Sequence, residues 1–336
     1  MSRRHAKGRA VHGILLLDKP AGGSSNRALQ QVKHLFGARK AGHTGSLDPL
    51  ATGMLPICFG EATKLSGFLL DAAKGYETTL QLGVTTHSAD ADGEVMETRP
   101  VPGNLTQAAF VEVCGRFRGP QQQVPPMVSA IKIDGQRLYK LAREGRDVDR
   151  PPRPVVIHEL HVLSITGSTA RLSIRCSKGT YIRSLVTDIG EAIGCGAHVT
   201  SLRRTFVSPF EQQPMVSLEA LHRLSAQAAL EDSTAAGPST TGPVHARLDA
   251  LLLPVDAGMG HLPAVRLGDT ALAAFRQGQS AACVPAGDWP GVCQDRLAAR
   301  SELPYRVYDS NGRLAGLGVL SESGEQVAPR RVLQWD

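Results

Sequence analysis

The sequence predicts an α+β protein with two domains. Three observations support this class: the chain length, a buried strand followed by an amphipathic helix near the N-terminus, and a second strand and helix in the middle of the chain. A chain of 336 residues suggests about two domains, at roughly 100 to 200 residues each. Each domain is therefore long enough to bury a core of its own.

The first strand and helix lie between residues 13 and 37. The apolar run GILLL, residues 13–17, is followed by Asp-Lys-Pro, which is typical of a buried strand that ends at a proline. A helical face follows in SNRALQQVKHLFG, formed by Ala28, Leu29, Val32, Leu35 and Phe36. A serine before this face and Gly37 after it fit the two ends of a helix. The next segments, EATKLSGFLLDAAKG and YETTLQLGV, predict a helix and a strand.

The second strand and helix lie between residues 169 and 194. In TARLSIRC, apolar residues alternate with serine and arginine, as in a half-buried strand that carries cations on its open face. TYIRSLVTDIGEAIG then predicts a helix whose apolar stripe consists of Ile182, Leu185, Val186, Ile189 and Ile193. Tyr181 and Arg183 fall near the start of this helix and off its stripe.

The C-terminal third changes in composition. Residues 225–247 are rich in Ala, Ser, Thr, Gly and Pro, which predicts a flexible insertion. Beyond it, short apolar runs and the Asn-Gly turn of YRVYDSNGRLAGLGVL predict a small β-rich domain over residues 248–336. The segment around Trp289, residues 285–303, is predicted to be a long loop.

Basic side chains are clustered. The formal net charge is +6, and residues 171–204 contain six basic side chains against two acidic ones. A second cluster lies in residues 132–153, which contain seven basic side chains and four acidic ones. The basic residues are Lys132, Arg137, Lys140, Arg143, Arg146, Arg150 and Arg153. Either cluster alone fits an ordinary solvated face. Two clusters beside glycine-rich loops favour a polyanionic partner, because cations that neutralise phosphates release counterions.

Several classes of function lack support in the sequence. The six cysteines form no Cys-x-x-Cys pair, which argues against a zinc ribbon and a disulfide framework and fits a reducing cytoplasm. The N-terminal apolar run is too short for a signal peptide or a membrane span. HELH at 158–161 lacks the spacing of a zinc site, and no P-loop or well-placed GxGxxG occurs, so a nucleotide cofactor lacks support. SAIK, Ser129 to Lys132, matches a serine acyltransferase motif only weakly.

One carboxylate is presented on a stiff loop. In GHTGSLDPLATG, residues 42–53, Asp48 precedes Pro49, which restricts its backbone to extended conformations. Gly45 and Gly53 allow another chain or a ligand to approach closely. Asp48 therefore fits either a structural turn or a nucleophile or general base held in one orientation.

Several long motifs occur in the order found in one enzyme family. GHTGSLDPLATGMLPICFGEATK closely resembles the catalytic segment of the TruB family of tRNA pseudouridine synthases, and GILLLDKPAGGSSN is similar to its opening motif. KGYETTLQLGVTTHSADADGEV resembles the segment with the active-site tyrosine, and QVPPMVSAIKIDGQRLYKLAREG the RNA-gripping insertion. CSKGTYIRSLVTDIGEAIGCGAHVTSLRRT resembles the strand and helix that carry the arginine. VAPRRVL is similar to the end of a PUA-type RNA-binding module.

The resemblance implies a domain plan and a set of site residues. It implies a pseudouridine-synthase-type mixed, largely antiparallel sheet flanked by helices and loops, and a PUA-like domain over residues 248–336. The plan consists of a basic tail at 1–12, a catalytic domain at 13–224 and an RNA-gripping insertion at about 123–153. It makes Asp48 the nucleophile, Tyr76 the ring that stacks on the target uracil, and Arg183 the partner of the aspartate. The other implied substrate or RNA contacts are His43, Tyr181, Leu202, Lys19, Lys132, Arg137 and Arg143.

The implied reaction converts uridine 55 in the T-arm loop of tRNA to pseudouridine by base flipping, without cofactor or metal. The expected partner is tRNA alone, bound by a cytoplasmic monomer with no membrane and no obligate protein partner. The sequence leaves open whether Asp48 attacks C1′ or C6 or acts through a glycal. Two other functions also stay open, an RNA-binding protein in which catalysis is secondary and an acyltransferase that uses Ser129.

Overall fold

The structure is a computed structural model that describes residues 8–129, 131–133, 135–146, 148–234, 243–285 and 303–335. Two short 3-10 helices are found in it, at Gly60–Lys64 and Ala257–Met259. The α helices are α1 (Ser25–Leu35), α2 (Ser66–Asp71), α3 (Gln107–Gly115), α4 (Leu138–Arg143), α5 (Ile182–Ile193), α6 (Leu218–Thr234), α7 (Pro243–Asp249) and α8 (Asp269–Arg276).

Most strands belong to the first domain. They are β1 (Gly13–Lys19), β2 (Ala41–His43), β3 (Thr52–Phe59), β4 (Lys74–Leu82), β5 (Val84–Thr86), β6 (Val95–Thr98), β7 (Gly119–Gln123), β8 (Lys132–Ile133), β9 (Gln136–Arg137), β10 (Arg153–Thr166), β11 (Thr169–Cys176), β12 (Ala197–Val207) and β13 (Val216–Ser217). Nine of them form one sheet in the order β13-β1-β3-β12-β4-β11-β10-β7, with β2 paired to β3. Within this nine-stranded sheet, the described strands form two parallel pairs, β1–β13 and β3–β12, and the other pairs are antiparallel. The predicted mixed, largely antiparallel sheet is confirmed.

The second domain contains a six-stranded sheet in the order β15-β19-β18-β17-β14-β16. Its strands are β14 (Ala264–Arg266), β15 (Ala281–Ala282), β16 (Val284–Pro285), β17 (Tyr305–Tyr308), β18 (Leu314–Leu320) and β19 (Gln326–Val332). The predicted Asn-Gly hairpin is the antiparallel pair β17–β18. The small β-rich C-terminal domain is thus present, while the predicted loop around Trp289 lies outside the described residues.

The run GILLL is apolar at successive positions because β1 is buried on both faces. Leu15 and Leu17 pack into the core beneath α1 and α5. Ile14 and Leu16 point the other way, into a second core shared with Leu317 and other residues of the C-terminal domain. This second core packs the C-terminal domain against the nine-stranded sheet. No helix in the described ranges is long and apolar enough to cross a membrane.

The predicted helices are present with two differences. Ser24 caps α1, its hydroxyl accepting a hydrogen bond from the backbone of Arg27 at 3.1 Å. The segment EATKLSGFLLDAAKG, predicted as one helix, is a 3-10 turn at Gly60–Lys64 followed by α2. The segment predicted as a flexible insertion begins inside α6, which continues to Thr234. Its first ten residues, SAQAALEDST, contain alanine, leucine and glutamine, which favour helix and outweigh the low apolar content. Residues 235–242 lie outside the described part of the chain.

Gly53 lies near the start of β3, where it pairs with Arg204 of β12. Its φ is +98°, and a Cβ at this position would stand 2.2 Å from the backbone oxygen of Arg204. Both the backbone conformation and the lack of space therefore require glycine here.

We expect Gly53→Ala to lower the free energy of unfolding by about 2 kcal/mol or more, from backbone strain and overpacking together. Gly115→Ala is the matched control, because a Cβ there meets nothing within 4 Å at the end of α3. Denaturant unfolding of both variants checks this. Equal stabilities of the two variants would show that the close contact at Gly53 is wrong.

Candidate active site around Asp48

Asp48 lies in the loop between β2 and β3, and three buried side chains hold this loop. Ser25 on α1 both donates to the oxygen of Leu47 at 3.1 Å and accepts from its nitrogen at 2.7 Å. Lys19 at the end of β1 donates to the oxygen of Ala51 at 2.7 Å. Arg204 on β12 donates to the oxygen of Gly45 at 3.0 Å. The stiff loop predicted from its proline and glycines is thus also tied to three separate elements.

Arg183 pairs with the Asp48 carboxylate. Its Nε lies 2.9 Å from Oδ2 of Asp48, but the N–H does not point along this line, so the contact is an ion pair rather than an aligned hydrogen bond. The two terminal nitrogens donate to the oxygens of Ser88, at 2.8 Å, and Val128, at 2.7 Å. The guanidinium is therefore fixed on three sides. Although Arg183 falls off the apolar stripe of α5, its side chain is only 2% exposed.

Asp90, which no sequence motif singled out, is the second carboxylate at this guanidinium. Its Oδ2 lies 3.6 Å from Nε of Arg183, and its side chain is buried. Its other oxygen accepts hydrogen bonds from the Ser88 hydroxyl and from the backbone of Asp92. Asp90 therefore shares one cation with Asp48. Its only signal in the sequence is an ordinary turn segment, SADADG.

The pKa of Asp48 is raised above its ordinary value. Burial is the largest cause, Arg183 acts against it, and the negative charge of Asp90 raises the pKa further. The Asp48 side chain nevertheless stays 37% exposed, and the residues that follow it, Pro49 and Leu50, line a cleft. Arg183 thus offsets the effect of burial on this pKa only in part.

Tyr76 lies on β4, next to Arg204 on β12, as antiparallel partners in the sheet. Its side chain is buried, and burial raises the pKa of its hydroxyl while the Arg204 charge lowers it. Asp48 lies within electrostatic range of the same hydroxyl and raises the pKa further. The tyrosine, the aspartate and Arg183 therefore meet at one place, as expected from the sequence.

Tyr181 and Leu202 lie at the edge of this site. Tyr181 is the N-cap of α5, and the buried amide of Gln123 holds its backbone through two hydrogen bonds, of 3.0 and 2.8 Å. Burial raises the pKa of Tyr181, and its side chain interacts with Ser129, Asp48 and Arg183. Leu202 lies on β12 and lines a cleft of about 620 Å³ beside Pro49.

Lys19 and His43 are also near the site. Lys19 is buried, and burial lowers its pKa to about 8, while the charge of Asp48 acts in the opposite direction. His43 ends β2, and burial followed by the charge of Arg204 lowers its pKa, so the ring is neutral at pH 7. Lys132, Arg137 and Arg143 belong to β8, β9 and α4, which follow β7 and precede β10 in the chain.

Cavity size alone would not locate this site. A larger cavity of about 730 Å³ lies between the domains, where Phe68 faces Arg330 and Arg331. The cleft near Asp48 is distinguished instead by its buried charges, since a carboxylate with a raised pKa is typical of functional sites. No group of three or more His, Cys, Asp or Glu side chains suited to a metal ion occurs among the described residues.

Comparisons with known proteins identify the family to which the chain belongs. The family model "TruB family pseudouridylate synthase (N terminal domain)" matches residues 33–182. Two C-terminal family models follow, "tRNA pseudouridylate synthase B C-terminal domain" at 183–259 and "Pseudouridine synthase II TruB, C-terminal" at 263–333. Together they span both domains.

Curated relatives share nearly the whole chain. The tRNA pseudouridine synthase B of Stutzerimonas stutzeri (strain A1501) is 49% identical over 326 residues, or 97% of both chains. The same-named protein of Aeromonas salmonicida (strain A449) is 46% identical over 333 residues, 99% of this chain and 97% of its own. Among solved structures, the archaeal box H/ACA sRNP Nop10-Cbf5 complex matches in fold, with a TM-score of 0.66 at 24% identity over 96% of this chain and 86% of that one. The chain therefore belongs to the TruB family of pseudouridylate synthases, and is an isomerase.

Proposed function

We propose that the protein isomerises uridine 55 in the T-arm loop of tRNA to pseudouridine, with Asp48 as the nucleophile. The observation that carries this proposal is the fixed guanidinium of Arg183, 2.9 Å from a carboxylate whose side chain is still 37% exposed. An accessible anion on a buried cation suits attack on a substrate that enters the cleft. The names of the curated relatives support tRNA as the substrate.

The proposed reaction needs one carboxylate and no external atom. The N1–C1′ bond breaks, the uracil turns, and a C5–C1′ bond forms; the proton lost from C5 is balanced by one gained at N1. Attack at C1′, attack at C6 and a glycal route all use the Asp48 carboxylate. Covalent catalysis by an aspartate divides such an exchange into two easier steps. A glycosidase normally uses a second carboxylate to handle water, whereas this isomerase has to keep water away from C1′.

Tyr76 and Arg183 have different proposed roles. Flipping a uridine out of a folded loop costs a few kcal/mol of lost stacking, and an aromatic ring regains about 1 to 3 kcal/mol per base. Tyr76 supplies this ring beside Asp48. Arg183 opposes the rise in the pKa of Asp48 and so favours the ionised nucleophile. Tyr181, Leu202, His43 and Lys19 form the walls that receive the extruded nucleotide.

The two basic clusters and the PUA-like domain are proposed to bind the rest of the tRNA. Lys132, Arg137 and Arg143 belong to the excursion between β7 and β10, within the proposed insertion at 123–153. Phosphates bound there place the T-arm loop over Asp48. Action as a monomer in the cytoplasm without an obligate protein partner is part of the same proposal.

We expect Asp48→Asn to abolish pseudouridine formation and to leave tRNA affinity close to that of the wild type. The amide keeps the size of the side chain but removes its nucleophilicity. The measurement is mass mapping of pseudouridine in a tRNA transcript incubated with purified protein alone, together with a filter-binding assay. Glu112→Gln, an exposed carboxylate paired with Arg116 on α3, is the control.

The outcomes separate the alternatives. Product formed by Asp48→Asn would refute the nucleophile. A wild-type protein that binds tRNA without forming pseudouridine would favour the RNA-binding function. Labelling of Ser129 by an acylating probe would favour the acyltransferase.

The thermal stability of Asp48→Asn also tests whether the pKa of Asp48 is raised in the folded protein. Because the pKa of Asp48 is raised in the folded protein, its ionised form disfavours folding at every pH above the folded pKa. The penalty disappears below the unfolded value of about 3.9, where the carboxyl is protonated in both states. We therefore expect the variant to have a higher Tm than the wild type at pH 7, with a difference that shrinks as the pH falls toward 4. A lower Tm at pH 7 would mean that Arg183 outweighs burial.

The salt dependence of tRNA binding tests the proposed role of the basic insertion. Each cation that neutralises a phosphate contributes about 0.7 to 0.9 to the slope of log Kd against log salt concentration. Replacing Lys132, Arg137 and Arg143 by alanine is expected to lower this slope by about 2 to 3. Arg116→Ala and Arg223→Ala, whose arginines pair with glutamates on their own helices, serve as controls. An unchanged slope in the triple variant would remove the insertion from the proposed RNA interface.

A further inference from the structure

Arg204 is a buried arginine directly behind the Asp48 loop. It lies on β12, and its side chain is only 1% exposed. Its guanidinium donates to two backbone oxygens, of Met54 at 2.6 Å and of Gly45 at 3.0 Å. A buried charge is costly, so an arginine that serves only as packing would be better replaced by an apolar side chain. These two contacts therefore suggest a specific use of the side chain.

The two acceptors stand at opposite ends of the Asp48 loop. Gly45 precedes Asp48 by three residues and Met54 follows it by six. The backbone of Arg204 also pairs with Gly53, with no room between them for a side chain. One residue of β12 thus joins the start of the loop to its end.

The same residue contacts the second element of the site. Arg204 and Tyr76 are Cα partners of the antiparallel strands β12 and β4, so their side chains stand together on one face of the sheet. Consistent with this, the Arg204 charge lowers the pKa of the Tyr76 hydroxyl, against the larger effect of burial. A single guanidinium therefore lies between the loop that carries Asp48 and the ring of Tyr76.

We propose that Arg204 is a positioning residue for the isomerisation, which closes the loop of Asp48 at both ends and fixes the carboxylate relative to Tyr76. The inference rests on the roles proposed above for those two residues. Arg204 does not touch the substrate and acts only through the loop. Its loss lets the carboxylate shift within its loop, and a displacement of about 1 Å from the reacting geometry lowers a rate by about 100-fold.

The test compares three variants in single-turnover isomerisation at saturating protein, with tRNA affinity and Tm measured in parallel. Arg204→Met removes both hydrogen bonds and the charge. Arg204→Lys keeps a cation that reaches one end of the loop. Arg306→Met is the matched control, because Arg306 is also a buried arginine that donates to a backbone oxygen, that of Leu262 at 3.1 Å, but it lies in the C-terminal domain.

We expect Arg204→Met to lower the single-turnover rate by about 100-fold while tRNA affinity stays near that of the wild type. Arg204→Lys should be faster than Arg204→Met even where its Tm is equal or lower, since the lysine keeps a buried charge. If the Arg204 side chain acted only as packing, the single-turnover rate of Arg204→Met would be at least as high as that of Arg204→Lys. Arg306→Met should keep the wild-type rate whatever its Tm.

Other results overturn the proposal. A wild-type rate in Arg204→Met, or an equal loss of rate in Arg306→Met, shows that Arg204 has no specific part in positioning. If Arg204→Met does not fold, a folded Arg204→Lys with the wild-type rate likewise shows that the two-ended contact is not needed. Failure of the proposed function is distinct, because it shows as a wild-type protein that forms no pseudouridine.

Discussion

The ion pair between Asp48 and Arg183 is the contact on which the rest of the site depends. Its two residues lie on separate elements, the loop before β3 and the first turn of α5, which the nine-stranded sheet brings together. The terminal nitrogens of the arginine already donate to two backbone oxygens, so only Nε faces the carboxylate. The direction of the positive charge is thus set by the fold before a substrate arrives, as electrostatic preorganisation requires.

Burial is distributed unequally across this pair. The arginine is 2% exposed and the aspartate 37%. A cation held in the interior cannot exchange its partner for water, while the anion remains open to a ligand in the cleft. Asp90 adds a second negative charge at the same guanidinium, 3.6 Å from Nε. It pairs with the arginine and, after burial, raises the pKa of Asp48, so the ionised form of Asp48 is less stable than that of an aspartate in water.

The sequence predicted the local elements well because each depends on a local pattern. The alternation in TARLSIRC marks β11, and the stripe in IRSLVTDIGEAI marks α5. It also placed Asp48, Tyr76 and Arg183 at one site through the motifs of the family. It did not identify Asp90 or Arg204, because their importance depends on strands and loops that meet only in the fold. The flexible insertion was predicted at the wrong boundary, since alanine-rich segments suit both helices and loops, and α6 extends to Thr234.

The segment that leads into the basic insertion is itself part of the site. Gln123 holds the backbone of Tyr181, Ser184 donates to the oxygen of Val124 at 2.9 Å, and Arg183 donates to the oxygen of Val128. The first turn of α5 is therefore bound to residues 123–128 by side chains that are almost completely buried. Because residues 123–128 are the start of the proposed insertion, the insertion and the guanidinium at Asp48 are joined through these buried side chains. A change in residues 123–128 would therefore act on Arg183 through these contacts, without any motion of the sheet.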